Sequence, residues 1–313
     1  MRKVKWWVRG LGQRVAPRLT FALLANRSWL HEPEIALLPL LGGSNGLAVD
    51  VGANKGVYLY HLCRQFQRVV AFEPLPQMAS FLAGAAPPNA EVRRVALSDR
   101  VGEAEIRLPR GFNELASLER GNLGEVPDAE VEIHPTPLAT LDSLELGPVG
   151  LVKIDVEGHE LAVLDGARRT LARSRPTILI EVEERHRAGS IAAVRALLDG
   201  LGYEGYFLDG ARLRPIAEFD SARDQSPAAI VGSVKTGRYI NNFIYLDRRL
   251  AAERAAHVNR HLALPRSRRA EAVAGTGGLG IDPAWHGLVT AWSSRRPRRG
   301  AAADPSRPAA AGR

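Results

Sequence analysis

From residue 47 onward, short apolar runs alternate with segments of helical periodicity. This alternation constrains the fold most, because strands linked by helices pair into a parallel sheet that has helices on both faces. Five strands are predicted in this pattern: LAVDV (47–51), RVVAFE (68–73), EVRRVAL (91–97), LVKIDV (151–156) and TILIEVE (177–183). Two further strands are predicted in GYFLDGARLRP (205–215) and RYINNFIYLD (238–247). Sequential strands of this kind are commonly antiparallel.

The net charge of +8 is distributed unevenly along the 313 residues. Residues 1–45 carry +5 and residues 251–313 carry +7, so residues 46–250 sum to −4. Nucleic-acid binding requires Lys and Arg gathered on a folded face. A slightly acidic body with basic ends therefore predicts no nucleic-acid partner.

Three regions are predicted from composition. Residues 1–45 form a basic N-terminal helical extension, residues 46–250 form the α/β domain, and residues 251–313 form an Arg-, Ala- and Pro-rich tail that is expected to be disordered. In the extension, apolar residues recur at helical spacing among Lys and Arg: Val4, Trp7, Val8, Leu11 and Val15. This amphipathic helix either packs on the flank of the domain or makes a weak contact with an anionic membrane surface.

Cysteine usage and hydropathy favour the cytoplasm. Cys63 is the only cysteine, which excludes an intrachain disulfide and a zinc–cysteine cluster. The apolar run LTFALLA (19–25) is far shorter than the roughly 20 residues that span a bilayer. We expect a cytoplasmic protein.

The turn after the first strand, DVGANKG, predicts a ligand at the strand's carboxyl end. Gly52 lets the turn close near a ligand, and Gly56 lets helix and strand approach. A dinucleotide fingerprint needs further glycines where this chain has Asn54 and Val57, so the turn does not fit a pyrophosphate. Asp50 ahead of the turn suits a cationic ligand.

Polar residues also end the next two strands. Glu73 is placed to accept hydrogen bonds from both ribose hydroxyls of an adenosine cofactor. Ser98 and Asp99 end the third strand near the expected adenine. Each of these residues alone is equally consistent with a turn or a helix cap.

Seven segments occur in an order and spacing that resembles the FkbM family of S-adenosyl-L-methionine-dependent methyltransferases. They are DVGANKGVYLY, AFEPLP, ALSDRVGEAEI, TLDSL, LVKIDVEGHELAVLDGARRTL, RPTILIEVEE and INNFIYL, between residues 46 and 247. The resemblance implies a class I methyltransferase fold, with seven strands of which the last is antiparallel. It also implies O-methylation of a hydroxyl on a sugar, glycan, lipid or natural product.

S-adenosylmethionine carries a sulfonium, an ammonium, a carboxylate and a ribose, so the polar strand ends are complementary to it. By resemblance, Glu73 holds the ribose, Ser98 and Asp99 lie near the adenine, and Asp50 and Gly52 line the methionine portion. The expected cofactor-binding set is Asp50, Gly52, Ala53, Asn54, Gly56, Glu73, Pro74, Ser98, Asp99 and Asp155.

The segment KIDVEGHE after the fourth strand holds the catalytic candidates. Histidine as a residue type suits a general base, which makes His159 a candidate, and Glu157 or Glu181 serves if desolvated. The expected catalytic set is His159, Glu157, Asp155 and Glu181. Alternatively, Glu157 and Glu160 merely begin a helix at its electropositive end, and His159 makes a substrate or structural contact.

A divalent metal is permitted by the spacing of Asp155, Glu157 and His159, but Gly158 interrupts the strand, and we expect a metal-free pocket. His134 and His186 are expected in loops or on the surface.

Two other functions share these residues. One is a non-catalytic module that binds S-adenosylmethionine or a glycan, and the other is a nicotinamide-dependent oxidoreductase, which the missing glycine at position 54 disfavours. Acceptor specificity is expected from residues 103–138, predicted as two short strands around a polar loop, and from the loop 215–237.

Overall fold

A computed structural model describes residues 16–28, 32–42, 46–109, 116–119, 130–231 and 234–265. In chain order, its strands are β1 (Leu47–Val51), β2 (Arg68–Phe72), β3 (Ala90–Arg93), β4 (Ala96–Leu97), β5 (Gly102–Pro109), β6 (Val131–Ala139), β7 (Val149–Ile154), β8 (Thr177–Glu181), β9 (Tyr203–Asp209), β10 (Arg212–Pro215), β11 (Ile230–Val231), β12 (Val234–Lys235) and β13 (Asn242–Asp247).

Helices connect most of these strands. They are α1 (Pro17–Ser28), α2 (Leu38–Leu41), α3 (Val57–Leu62), α4 (Pro76–Ala85), α5 (Glu160–Asp165), α6 (Arg168–Ser174), α7 (Ser190–Gly200), α8 (Ser221–Asp224) and α9 (Ala251–Ala263). Short 3₁₀ turns occur at Pro33–Leu37, Leu141–Leu144, Ile216–Glu218 and Pro227–Ala229. No helix among the described residues is long and apolar enough to cross a bilayer.

The central sheet has the order β10-β9-β13-β8-β7-β1-β2-β3. Neighbouring strands from β3 to β8 are parallel, and β13 lies antiparallel between β8 and β9. This arrangement confirms the predicted class I methyltransferase fold. The chain order reverses between β1 and β7, and ligands of open α/β sheets bind at such a point.

Strand number differs from the prediction at two places. GYFLDGARLRP is a hairpin rather than one strand, because Gly210, with φ of 59°, turns the chain between β9 and β10. The central sheet therefore has eight strands rather than seven. EVRRVAL is also divided: β3 ends at Arg93, and β4 leaves the central sheet to pair with β6.

β4, β5 and β6 form a separate three-stranded sheet of order β4-β6-β5. β5 and β6 pair antiparallel along their length, which confirms the two strands predicted in the 103–138 insertion. His134 lies on β6 beside Glu132, rather than in a loop.

The core lies on both faces of the central sheet. All five residues of β1 are buried, as expected of a strand covered on both sides. Ala48 faces a cluster that includes Leu59 of α3, whereas Val49 faces a cluster that includes Val163 of α5 and Val194 of α7.

The chain before β1 packs onto this domain. Phe21 and Ala25 of α1 are buried, as are Ile35 and Leu37 of the following 3₁₀ turn and Leu38 of α2. A side chain at Gly56 would overlap the ring of Phe21 and contact Leu82. The absence of a Cβ at position 56 therefore admits α1, rather than only letting helix and strand approach. The amphipathic pattern in residues 1–15 lies outside the described residues.

The predicted disorder from residue 251 is wrong for the first part of the tail. Helix α9 buries Ala251, Ala255, Val258 and Leu262, which lie at helical spacing on one face. The side chain of Asn259 accepts from Leu213 N at 2.7 Å and donates to Leu213 O at 3.1 Å, which fixes α9 against β10. Residues 266–313 lie outside the described residues.

We predict that Gly56→Ala destabilises the protein by about 1–3 kcal/mol, because the added Cβ meets Phe21 and Leu82 at a φ of 76°. Gly84→Ala is the matched control, because a Cβ there has nothing within 4 Å and position 84 lies in α4. It should be neutral or stabilising by up to ~1 kcal/mol. Urea unfolding measures both, and equal effects would contradict the packing of α1 against the turn.

Candidate functional site

The candidate site lies at the carboxyl ends of β1 and β7, where the order of the sheet reverses. Asp155 N donates to Val51 O at 3.0 Å, which joins the two strand ends. Gly52 has φ of 80°, and a Cβ there would overlap the carbonyl oxygen of Asp155. The sequence interpretation placed Gly52 against a ligand. The structure adds that the neighbouring strand end itself excludes a side chain at this position.

The backbone N–H groups of the turn are bonded within the protein. Gly52 N and Ala53 N donate to Phe72 O at 2.9 and 3.1 Å, and Gly56 N donates to Ala53 O at 2.7 Å. Asn54 N donates to Glu73 Oε2 at 2.7 Å. The turn is thus held in one conformation by the end of β2, and these N–H groups are not free for a ligand.

Glu73 is held by backbone donors at both carboxylate oxygens. Oε2 accepts from Asn54 N, and Oε1 accepts from Leu75 N at 2.8 Å across the intervening Pro74. The residue is 4% exposed. Burial raises the pKa of Glu73 to about 7, although the two backbone hydrogen bonds lower it. Its orientation is fixed by the fold before any ligand binds.

Two buried acceptors beside this turn have no hydrogen-bond partner among the described residues. They are Asp50 Oδ2 and Asn54 Oδ1. Asn54 adopts a left-handed conformation with φ of 47°. Burial raises the pKa of Asp50 to about 7, although the nearby Lys153 lowers it. A buried acceptor without a donor costs about 1–3 kcal/mol. A ligand that carries hydrogen-bond donors would remove this cost.

Lys153 of β7 is a functional candidate that the sequence analysis missed. It is fully buried, and its Nζ lies 3.8 Å from Asp155 Oδ2, 3.2 Å from Asn242 Oδ1 and 4.6 Å from the ring centroid of Tyr58. Burial lowers the pKa of this amine, but the surrounding carboxylates more than offset it and hold the pKa above its ordinary value. A lysine inside an apolar strand was the available sequence signal.

Carboxylates surround Lys153 from several elements. Glu181 ends β8, is bonded by the side chain of Asn241, and has a pKa raised by burial and by Asp155. Glu32, from the segment before β1, accepts from Tyr58 OH at 3.3 Å and from Asn242 Nδ2 at 3.0 Å. The site is therefore strongly acidic, with one buried cation at its centre.

Asp155 and Glu157 begin the loop after β7. The side chain of Asp155 is 33% exposed, which makes it the more accessible of the two. Glu157 has φ of 52°, and burial and Asp155 raise its pKa.

Glu160 accepts from Gly158 N at 2.8 Å, so the helix-start interpretation applies to Glu160. Ser117 Oγ donates to Glu157 O at 2.7 Å, which brings the 103–138 insertion to the site.

His159 is bonded by the protein at both ring nitrogens. Nε2 lies 2.9 Å from Ser98 Oγ, and Nδ1 lies 2.7 Å from Glu119 Oε1. Ser98 is fully buried and also donates to Asp99 Oδ1 at 3.0 Å, while Asp99 itself is exposed. The structure thus brings Ser98, Asp99 and His159 together, through structural contacts.

His186 lies in a turn after β8, which agrees with the predicted loop position, and it reaches the site. Its side chain is 8% exposed, and its Nε2 lies 3.0 Å from Glu157 Oε2. Nothing in the sequence signals this contact, because the two residues are far apart along the chain. Among the described residues, no group of three or more His, Cys, Asp or Glu side chains is arranged to hold a metal ion.

Comparisons with known proteins identify a family that matches part of the chain. The family model described as the methyltransferase FkbM domain matches residues 50–204. AMB antimetabolite synthetase AmbE of Pseudomonas aeruginosa is 27% identical over 201 residues, which are 52% of this chain and 10% of that protein. This chain therefore spans a small part of that relative.

Two solved structures are similar at low identity. Methyltransferase FkbM from Methylobacillus flagellatus KT is 15% identical, with TM-score 0.40, over 64% of this chain and 43% of that chain. A Streptococcus mutans protein, described as a methyltransferase and solved in complex with S-adenosylhomocysteine (SAH), is 10% identical, with TM-score 0.39, over 69% of this chain and 97% of that chain.

We predict that the free energy of unfolding falls as pH rises from about 4 to about 7. Over this range the folded state binds more protons than the unfolded state, because the pKa of Asp50 is about 7 in the folded protein. Asp50→Asn should flatten this dependence without abolishing it, because burial also raises the pKa of Glu73 and Glu160 to about 7. Urea unfolding over this pH range provides the measurement. Exposed Asp165→Asn is the control, and a slope unchanged by Asp50→Asn would contradict the buried carboxyl.

Proposed function

This chain belongs to the FkbM family of S-adenosylmethionine-dependent methyltransferases, and from that premise we propose that it methylates a hydroxyl group. The acceptor is a sugar, a glycan, a lipid or another natural product. The observation that carries the proposal is a pair of buried acceptors at the switch point of the sheet, Asp50 Oδ2 and Asn54 Oδ1, to which no residue in the described part of the chain donates.

The residues at the switch point fit the cofactor. Its ammonium and ribose hydroxyls are donors that suit Asp50 and Asn54, and its positive charge suits a site rich in carboxylates. Glu73 is oriented to accept from the ribose through its remaining lone pairs, beside Pro74. Asp155 lies across the switch point from the turn at Gly52 and Ala53. When bound, S-adenosylmethionine supplies an electrophilic methyl group on sulfur.

Ser98 and Asp99 have a more indirect role in this proposal. Ser98 is fully buried and is bonded to His159, so it shapes the adenine side of the pocket from behind. Asp99 is exposed and accepts from Ser98, which leaves it available to the adenine edge. Gly56 contributes by admitting α1 rather than by contact with the cofactor.

Methyl transfer to oxygen is an in-line displacement, so positioning of the acceptor supplies much of the acceleration. Asp155, whose side chain is partly exposed, is placed to bind the acceptor hydroxyl. Glu157 and Glu181 are desolvated carboxyls with raised pKa, which makes them candidates for proton transfer. His159, bonded at both nitrogens, positions the loop rather than taking the proton directly.

Acceptor specificity is assigned to two elements that border the site. Ser117 and Glu119 of the insertion contact Glu157 and His159. From the predicted 215–237 loop, Gln225 reaches the residue after β8, where its Nε2 donates to Val182 O at 2.8 Å. The similarity to part of an antimetabolite synthetase supports a natural product among the possible acceptors.

We predict that Glu73→Ala weakens SAH binding about tenfold or more, since a hydrogen bond to a charged group contributes about 1.5–3 kcal/mol. Exposed Glu253→Ala, on α9, is the control and should bind SAH as the unaltered protein does. Isothermal titration gives both affinities. Unchanged affinity in a folded Glu73→Ala protein would remove Glu73 from the cofactor site.

The activity itself is tested with methyl-labelled S-adenosylmethionine. The protein is incubated with small-molecule and envelope-glycan extracts of its source cells, and mass spectrometry follows label into products heavier by one methylene. We expect labelled O-methyl product together with SAH. Tight NAD binding without SAH binding would favour an oxidoreductase. SAH binding without any product would favour a non-catalytic module.

A further inference from the structure

The contact between His186 and Glu157 joins the loops that follow two neighbouring strands. His186 follows β8, and Glu157 follows β7, so both lie at the carboxyl edge of the sheet where ligands bind. The His186 imidazole is largely buried, and its Nε2 is 3.0 Å from Glu157 Oε2. A carboxylate at this distance fixes the ring orientation and the tautomer of a histidine.

The turn that carries Glu157 is held in an unusual conformation. Glu157 is a non-glycine residue at φ of 52°, and Gly158 follows at φ of 98°. Ser117 Oγ holds the carbonyl of Glu157, and Glu160 holds the N–H of Gly158. Non-glycine residues persist in this region only where surrounding contacts enforce it, and such residues cluster at functional sites. Here the enforced turn directs the Glu157 carboxyl toward His186.

The two histidines near the cleft differ in whether a ring nitrogen can accept a proton. His159 is engaged at Nε2 by Ser98 and at Nδ1 by Glu119. His186 is engaged at Nε2 alone, and no described residue bonds its Nδ1. A general base needs a ring nitrogen that is not already bonded to the protein. His186 meets this requirement, whereas His159 does not.

We infer that His186, oriented by Glu157, is the general base that takes the proton of the acceptor hydroxyl. This inference rests on the proposed O-methylation. A lone pair of the acceptor oxygen forms the O–CH₃ bond while the S–CH₃ bond breaks, and that electron pair stays on sulfur to give neutral SAH. The hydroxyl proton passes to Nδ1. The resulting imidazolium keeps its Nε2–H on the Glu157 carboxylate and later releases a proton to water.

The charges around His186 keep a neutral imidazole available. Burial lowers its pKa, and Arg185 lowers it further, whereas Glu183 and Asp155 oppose this. A cationic methyl donor in the cleft favours the ionised form of Glu157. The ionised carboxyl accepts the Nε2 proton and leaves the lone pair of Nδ1 for the acceptor.

The first test measures methyl transfer to the acceptor found by the labelled-extract assay. His186→Asn should lower kcat by about 100-fold or more, as for loss of a general base, and should remove the acid limb of the pH–kcat profile. SAH affinity should stay within about threefold, since the base makes no contact with SAH. Exposed His257→Asn, on α9, is the matched control and should keep full activity.

Glu157→Gln gives a second test, which does not depend on how well the His186 variant folds. Loss of the carboxylate removes the partner of the imidazolium, so kcat should fall and the acid limb should move to lower pH. A purely structural role for Glu157 would leave the position of that limb unchanged, and this result would overturn the inference.

A third test needs no acceptor. Histidine-labelled protein is saturated with sinefungin, a cationic analogue of S-adenosylmethionine that transfers no methyl group, and ¹⁵N NMR reports the tautomer of His186. We expect the proton on Nε2 and an unprotonated Nδ1. A proton on Nδ1 would overturn the inference.

The outcomes separate the two proposals. If the unaltered protein methylates no component of the extracts, the proposed function fails, and the assignment of the base fails with it. If it is active and His186→Asn keeps both its rate and its acid limb, only the assignment of His186 fails.

Discussion

The carbonyl oxygen of Asp155 occupies the space that a side chain at position 52 would require. This close approach, with the hydrogen bond from Asp155 N to Val51 O, brings the ends of β1 and β7 together at the point where the sheet reverses its order. This junction sets the relative positions of the polar groups at the two strand ends. Asp50 lies on one side of it, and Asp155 and Glu157 lie on the other.

The electrostatics of the site follow from burial around one cation. Lys153 is surrounded by carboxylates from β1, β7, β8 and the segment before β1, and these offset the effect of its own burial on its pKa. Burial raises the pKa of Asp50 to about 7 and that of Glu181 well above its ordinary value, and the ammonium of Lys153 does not offset this rise. A cationic cofactor complements this excess of carboxylates. Binding of such a cofactor to the folded state would therefore also stabilise the protein against unfolding.

The site extends beyond the residues that match the family. Glu32 and Asn242 lie outside the matched range 50–204, yet they bond to each other, and Asn242 contacts Lys153. Helix α1 and helix α9 likewise pack on the domain from outside that range. The segments before and after the matched range therefore contribute residues to the site. Ser117 and Glu119 of the insertion contact the site from another side.

Local pattern in the sequence determined the strands of the parallel sheet, the turn at Gly52, and the polar strand ends at Asp50, Glu73 and Asp155. These features repeat at short spacing or follow from one strand and its turn, so a few neighbouring residues specify them. Only the tertiary structure decided that Lys153 is the central cation, that His186 faces Glu157, and that both nitrogens of His159 are bonded. These contacts join residues that are remote in sequence, and they form only when separate strand ends and loops pack at one edge of the sheet.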